Sequence, residues 1–173
     1  MTARPSTRTL RFERADTALA VAVAAVRNAA ADCLTSQYGH GHWSGHCSER
    51  GVAGDIRHGA VVHVALWGDD VVGTMTLGTR KPWAIDPKYF ASSLHPLYLT
   101  NMAVAPDRQR RGVGRACLLE AARIAAAWPA DAIRLDAFDA AAGAGMFYAK
   151  CGFREAGRAT YRSVPLIYYE LLL

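Results

Sequence analysis

The junction between two apolar stretches, Leu97–Val104 and Gly112–Trp128, most constrains what this chain can form. It reads Ala105-Pro106-Asp107-Arg108-Gln109-Arg110-Arg111-Gly112-Val113-Gly114-Arg115. Leu97–Val104 suits a strand, and Ala105-Pro106-Asp107 ends it. Beyond Gly112, residues Val113, Cys117, Leu118, Ala121, Ala122, Ile124 and Ala125 recur at helical spacing until Pro129 stops the pattern. The first amide N–H groups of a helix lack partners within it, and the helix dipole favours an anion in front of them. Gly112 and Gly114 carry no side chain, so backbone can approach such an anion closely. Arg110, Arg111 and Arg115 add positive charge. Each hydrogen bond to a charged group contributes roughly 1.5–3 kcal/mol, so several together hold a pyrophosphate tightly.

Two familiar diphosphate ligands fit poorly. A Walker loop needs Gly-Lys-Ser/Thr, whereas Arg115-Ala116 follows Gly114, which disfavours ATP and GTP. A dinucleotide fold does better in one respect, because Gly112-x-Gly114 precedes a helix, a strand and Asp136. Its third fingerprint position, however, holds Cys117 rather than Gly or Ala, and Gly112 lies well beyond the strand end at Val104.

The rest of the chain supplies partners for this unit. Thr9–Arg14 reads as a strand, and Asp16 as the cap of a helix from Thr17 to about Ala31. Thr35–Cys47, rich in Gly and His, reads as a loop, and Glu49–Arg57 as a short helix. Val61–Trp67 and Val71–Thr79 flank Gly68-Asp69-Asp70 and predict an antiparallel hairpin. Arg80–Pro96, with Pro82, Pro87 and Pro96, reads as an irregular excursion. Ile133–Phe138 is the next strand; Asp139 is read as capping a helix that reaches Lys150 and stops at Gly152. Phe153–Thr160 and Pro165–Leu172 close the pattern. Antiparallel hairpins with one strand–helix–strand crossover place the chain in the α/β or α+β class.

Composition narrows the setting. A chain of 173 residues, half hydrophobic and a fifth charged, suits one globular domain over residues 1–173. The net charge of +5 is carried mostly by arginine. Arg4, Arg8, Arg11 and Arg14 read equally well as a basic surface. No RNP, zinc-finger or helix-turn-helix pattern supports nucleic-acid binding. Cys33, Cys47, Cys117 and Cys151 form no C-x-x-C pair, so reduced thiols and a cytoplasmic location are expected. The apolar run Thr17–Val26 follows Glu13 and Asp16 and precedes no convincing cleavage site. No stretch is read as reaching the roughly 18–20 apolar residues that cross a bilayer, so no membrane partner is expected.

Gln109-Arg110-Arg111-Gly112-Val113-Gly114, after Met102-Ala103-Val104, resembles the acyl-CoA signature of the GCN5-related N-acetyltransferase (GNAT) superfamily, Q/R-x-x-G-x-G/A after a hydrophobic-x-Val strand end. Ala144-Gly-Met-Phe-Tyr148-Ala-Lys-Cys-Gly152-Phe153 resembles the family's A-x-x-F/L-Y-x-x-x-G-F segment. The likeness covers nearly the whole chain. One departure is Ala141, where the family often has Asn. The resemblance implies a mixed, mostly antiparallel sheet of about six to seven strands flanked by helices. It also implies a splayed parallel pair, Leu97–Val104 and Ile133–Phe138, that binds acyl-CoA between its strands.

The implied activity is transfer of an acetyl group from acetyl-CoA to a primary amine by direct attack. Splayed strands leave backbone groups for the pantetheine amides, assigned here to Met102, Ala103 and Val104. The loop Gln109, Arg110, Arg111, Gly112, Val113, Gly114 and Arg115 takes the pyrophosphate. Tyr148 matches the family's proton donor. A phenol near 10 gives its proton to a thiolate near 8.5 at a cost of roughly 2 kcal/mol, tolerable for a positioned donor. Phe147 beside it reads as the better core residue. For the proton on the acceptor amine the candidates are Asp136, if burial raises it, His42, or a water chain from Tyr98 or Asn101. Tyr38, His42 and Trp43, on a glycine-rich loop, and Asp136 are candidate acceptor contacts. A metal site from His40, His42, His46 and Cys47 matches no familiar zinc spacing, and no metal is expected. The acceptor is expected to be a small amine or a peptide. The apolar end Leu166–Leu173 suggests a strand-mediated homodimer. A non-catalytic acyl-CoA-binding regulatory module would share the same fold.

Overall fold

The computed structural model describes residues 9–173; Arg4 and Arg8 lie outside the described residues. The strands are β1 (Leu10–Arg14), β2 (Val61–Trp67), β3 (Asp70–Gly78), β4 (Pro96–Val104), β5 (Ala132–Phe138), β6 (Arg154–Tyr161) and β7 (Val164–Leu172). The helices are α1 (Ala20–Tyr38), α2 (Glu49–Arg57), α3 (Val113–Ala127) and α4 (Gly145–Lys150). The strands form one seven-stranded sheet in the order β1-β2-β3-β4-β5-β7-β6. Every neighbouring pair is antiparallel except β4–β5.

Alternation along the strands sends apolar side chains to both faces, which is why helices cover both. On one face α3 and α4 pack Val113, Cys117, Ala121 and Tyr148 against Leu97, Ile133 and other strand residues. On the other, α1 and α2 pack Val23, Ala24 and Val52 against Val62, Val64 and Leu66. A third cluster, Ile85, Phe90, Tyr98, Leu166 and Tyr168, lies under the proline-rich excursion between β3 and β4. Buried Glu170 ties that excursion down. It pairs with Arg134 at 3.1 Å and with Arg154, while Arg134 donates to the Ala91 carbonyl at 2.7 Å.

Three elements differ from the sequence reading. Asp16 caps as expected, but the helix runs on to Tyr38, because nothing breaks it before Gly39, whose φ is +81°. Thr35 extends rather than ends it, its hydroxyl bonding back to the Ala31 carbonyl at 2.8 Å. Thr17–Tyr38 is then long and apolar enough to cross a membrane by length and composition alone. Here its Ala20, Val23, Ala24 and Ala31 are buried within the fold. Asp139 caps no helix: its carboxylate pairs with Arg158 at 3.0 Å, and α4 begins six residues later at Gly145. The intervening turn is tight, since a Cβ on Gly143 would lie 1.9 Å from the Phe138 carbonyl oxygen. Finally, β7 lies inside the sheet between β5 and β6. Its backbone is already paired on both sides, so Leu166–Leu172 offers no free edge to a second chain.

Candidate active site: a cleft between two splayed strands

Parallel pairing of β4 with β5 covers only Pro96–Tyr98 against Ala132–Arg134. Beyond it the strands part. The cause is local to β4: its register with β3 slips between Thr74 and Thr76, so Asn101 and Met102 both oppose Met75. Asn101 takes a left-handed conformation, φ +51°, which Asn tolerates better than most residues. This bulge turns the end of β4 away from β5 and opens a cleft of about 430 Å³. Leu99, Thr100, Asn101 and Met102 line one wall; Asp136, Ala137 and Phe138 line the other.

The bulge also decides which backbone groups reach the cleft. The Ala105 N–H bonds to the Val72 carbonyl at 2.9 Å, and Thr74 pairs with Ala103. Alternation in an antiparallel ladder turns the Ala103 backbone toward β3 and that of Val104 toward the open side. The Gln109 side-chain amide donates to the Val104 carbonyl at 3.1 Å, pinning the following loop to the strand end.

The loop has the shape of an anion cradle. Arg110 and Gly112 are left-handed, with φ of +57° and +85°. The first α3 hydrogen bond runs from Ala116 N–H to the Gly112 carbonyl, which leaves the amides of Val113, Gly114 and Arg115 without helical partners. Arg110, Arg111 and Arg115 are exposed, and among the described residues no carboxylate pairs with them. Arg108, in contrast, is drawn away: it pairs with Asp107 at 3.3 Å and lies over the Trp67 ring at 5.6 Å. The two glycines serve different ends. Gly112 faces open space and supplies the left-handed turn, whereas a Cβ on Gly114 would meet Phe147 Cζ at 3.0 Å. Gly114 is small to admit the α4 ring, not only a ligand.

Tyr148 reaches the cleft from α4 and is 8% exposed. It sits among Phe147, Phe153 and Tyr169, with ring centroids 5.3–6.0 Å away. Contrary to the sequence reading, Tyr148 is the more buried of the pair, and Phe147 is half-buried beside Gly114. Among the described residues the Tyr148 hydroxyl meets only Met102 Sδ, a weak acceptor, at 3.9 Å. Burial, and then the nearby Asp136 charge, push its ionisation well above the ordinary phenol range, so it keeps its proton. Asp136 is half-buried on β5, and burial raises its carboxyl above the usual value. No cation pairs with it among the described residues.

The glycine-rich segment approaches the cleft through Phe138. His42 stacks on that ring at 6.5 Å and Trp43 meets it edge-on at 6.3 Å. The segment is held to α1 by Asn28, which bonds both the N–H and the carbonyl of Cys47 at 2.9 Å, and by a 2.6 Å contact of His46 with Asp32. Tyr38 ends α1, exposed and outside the cleft lining. Tyr98 is buried under the excursion, while Asn101 stays at the cleft. Ala141 is exposed, and Ala142 and Ala144 line the cleft instead. Leu34, Thr100 and Phe138 belong to no motif; only the two-residue period from Asp136 to Phe138 signals one of them.

The family model described as an acetyltransferase (GNAT) domain matches residues 58–155. The chain belongs to the GNAT acetyltransferase family. Acetyl-CoA is the acetyl donor of this family. Among solved structures, the chain is similar to the ribosomal-protein-S18-alanine N-acetyltransferase of Escherichia coli, with a TM-score of 0.70 and 18% identity over 95% of this chain and 94% of that one. It is also similar to yncA of Salmonella typhimurium, solved with its cofactor acetyl-CoA, with a TM-score of 0.67 and 18% identity over 95% and 94%. An N-acetyltransferase of Staphylococcus aureus gives a TM-score of 0.67 and 16% identity over 95% and 98%. At such identities these are likenesses of fold. No curated protein matches the sequence. The GNAT assignment agrees with the splayed β4–β5 pair and with the sheet order described above.

Proposed function

We propose that the protein transfers the acetyl group of acetyl-CoA to a primary amine by direct attack within the β4–β5 cleft. Acetyl-CoA, when bound, supplies an activated thioester. The amides of Val113, Gly114 and Arg115, with Arg110, Arg111 and Arg115 side chains, hold its diphosphate. The open backbone of Met102 and Val104 pairs with the pantetheine arm, and an N–H there polarises the acyl carbonyl.

Asp136 accepts the proton of the incoming ammonium; burial brings its basicity closer to that task. Tyr148, still protonated because burial opposes its ionisation, donates to the departing thiolate. That burial widens the gap assumed from solution values, but a thiolate forming in the same apolar wall is disfavoured for the same reason. The observation that carries the reading is the placement of Asp136 and Tyr148 on one cleft whose β4 wall runs on in sequence to the left-handed loop at Gly112. A cytoplasmic setting is supported by the four free cysteines. The test is free-thiol release from acetyl-CoA across a panel of amines. Release that depends on an amine supports transfer; tight acetyl-CoA binding without release from any amine would identify a regulatory module instead.

A further inference from the structure

The acceptor half of the cleft has an uneven chemical inventory. Its lining contains one carboxylate, Asp136, and no lysine or arginine. The unpaired arginines Arg110, Arg111 and Arg115 belong to the loop after β4, while Arg134 and Arg158 are taken up by Glu170 and Asp139. Leu34 from α1, Phe138 from β5, and Ala142 and Ala144 from the turn before α4 give the lining an apolar side, while Thr100 and Asn101 on β4 supply uncharged polar groups. His42 and Trp43 pack on the Phe138 ring and extend its aromatic surface. Asp136 and Phe138 lie two residues apart on one face of β5, about 6–7 Å along the strand.

We infer that the acceptor is an arylalkyl primary amine without a carboxylate, its ammonium at Asp136 and its ring against Leu34 and Phe138. This inference rests on the transfer reading above and names the substrate class of that same site. The charge inventory excludes the alternatives. An amino acid brings an α-carboxylate next to its amine, and here it would face Asp136 with no cation to pair it. A polyamine brings a second ammonium that needs a second carboxylate, which the lining does not hold. An arylalkyl amine brings one charge, which Asp136 meets, and a ring that suits the apolar side of the cleft. In the transfer, the amine nitrogen forms its bond to the acyl carbon as the carbon–sulfur bond breaks. The nitrogen loses two protons in all: Asp136 receives one, the sulfur leaves with the proton from Tyr148, and the second nitrogen proton restores Tyr148.

Phenethylamine and phenylalanine differ only in the carboxylate, so their comparison is direct. Thiol-release kinetics should give phenethylamine a kcat/KM at least about a hundredfold above that of phenylalanine, a ratio within reach of one unpaired buried charge. Spermidine and an alanyl peptide should also fall below phenethylamine. Phe138→Leu should raise KM for phenethylamine while leaving its acetyl-CoA affinity, measured by calorimetry, unchanged. Leu34→Lys should narrow the phenethylamine-to-phenylalanine ratio, which a merely structural loss would not do. Faster turnover of phenylalanine, spermidine or the peptide than of phenethylamine overturns this inference and leaves acetyl transfer standing. No release with any of the four overturns both.

Discussion

The two walls of the cleft are built in opposite ways. The proposed cofactor wall is contiguous in sequence: the end of β4, the loop through Gly112 and the first turn of α3. Its recognition elements are mostly backbone, set by left-handed residues at Asn101, Arg110 and Gly112. The proposed acceptor wall draws Leu34 from α1, His42 and Trp43 from the following segment, and Asp136 and Phe138 from β5. Its chemistry is side-chain chemistry, assembled only by folding. A diphosphate demands the same amides and charges whatever the acceptor, so one wall carries a motif. The other follows the acceptor and need not.

Variants on the two walls should therefore fail differently. The largest effect is expected from Tyr148→Phe, which removes the donated proton: turnover should fall by about 10²–10⁴-fold with acetyl-CoA affinity nearly unchanged. Stopped assays and calorimetry together check it, and an undiminished turnover number would take Tyr148 out of the mechanism.

Asp136→Asn should come next, with turnover reduced by about 10²-fold. In the parent, Asp136 must be ionised to take a proton, so kcat should fall as pH drops through its raised value, and the variant should lose that acidic limb. The stability effect has the opposite sign. A carboxyl raised by burial in the folded chain favours folding below the unfolded-state pKa, and that advantage is lost as pH rises through the folded value. At neutral pH the ionised Asp136 is a cost, so the Asn variant should melt higher than the parent. The difference should shrink toward acid. A lower melting temperature for the variant at neutral pH would mean that Asp136 makes a stabilising contact in its charged form.

Arg110→Ala combined with Arg111→Ala should weaken acetyl-CoA binding by about ten- to a hundredfold while sparing the amine KM. The loss should be larger at low salt, because both side chains are exposed. The smallest effect is expected at Gly114→Ala. The added methyl crowds Phe147, which should cost about 1–3 kcal/mol of stability, and Phe147→Leu should recover part of it. Simple additivity in thermal melts would show that Gly114 is small for the ligand alone.

The same contrast explains how much could be read in advance. All seven strand positions and the α2 and α3 helices follow from alternation and helical spacing, because burial on one face imposes those periods. The glycines and arginines of the loop were legible for the reason given above. The end of α1 was not, because Gly and His near Tyr38 suggest a loop while the helix continues through Thr35 to the first left-handed glycine. The start of α4 was misplaced, because Asp139 looks like a cap until Arg158, distant in sequence, claims its carboxylate. The bulge at Asn101 leaves no mark in composition, yet it opens the cleft. Phe138 meets His42 and Trp43 only through folding, a contact that no local pattern encodes.

Calorimetric titration of the full chain with acetyl-CoA and with S-acetylpantetheine, which lacks the diphosphate, measures the anion cradle by itself. Binding of acetyl-CoA at least about a hundredfold tighter than of the truncated thioester is the predicted result, since several charge-assisted hydrogen bonds separate the two. Equal affinities, or no heat from acetyl-CoA at all, would contradict it.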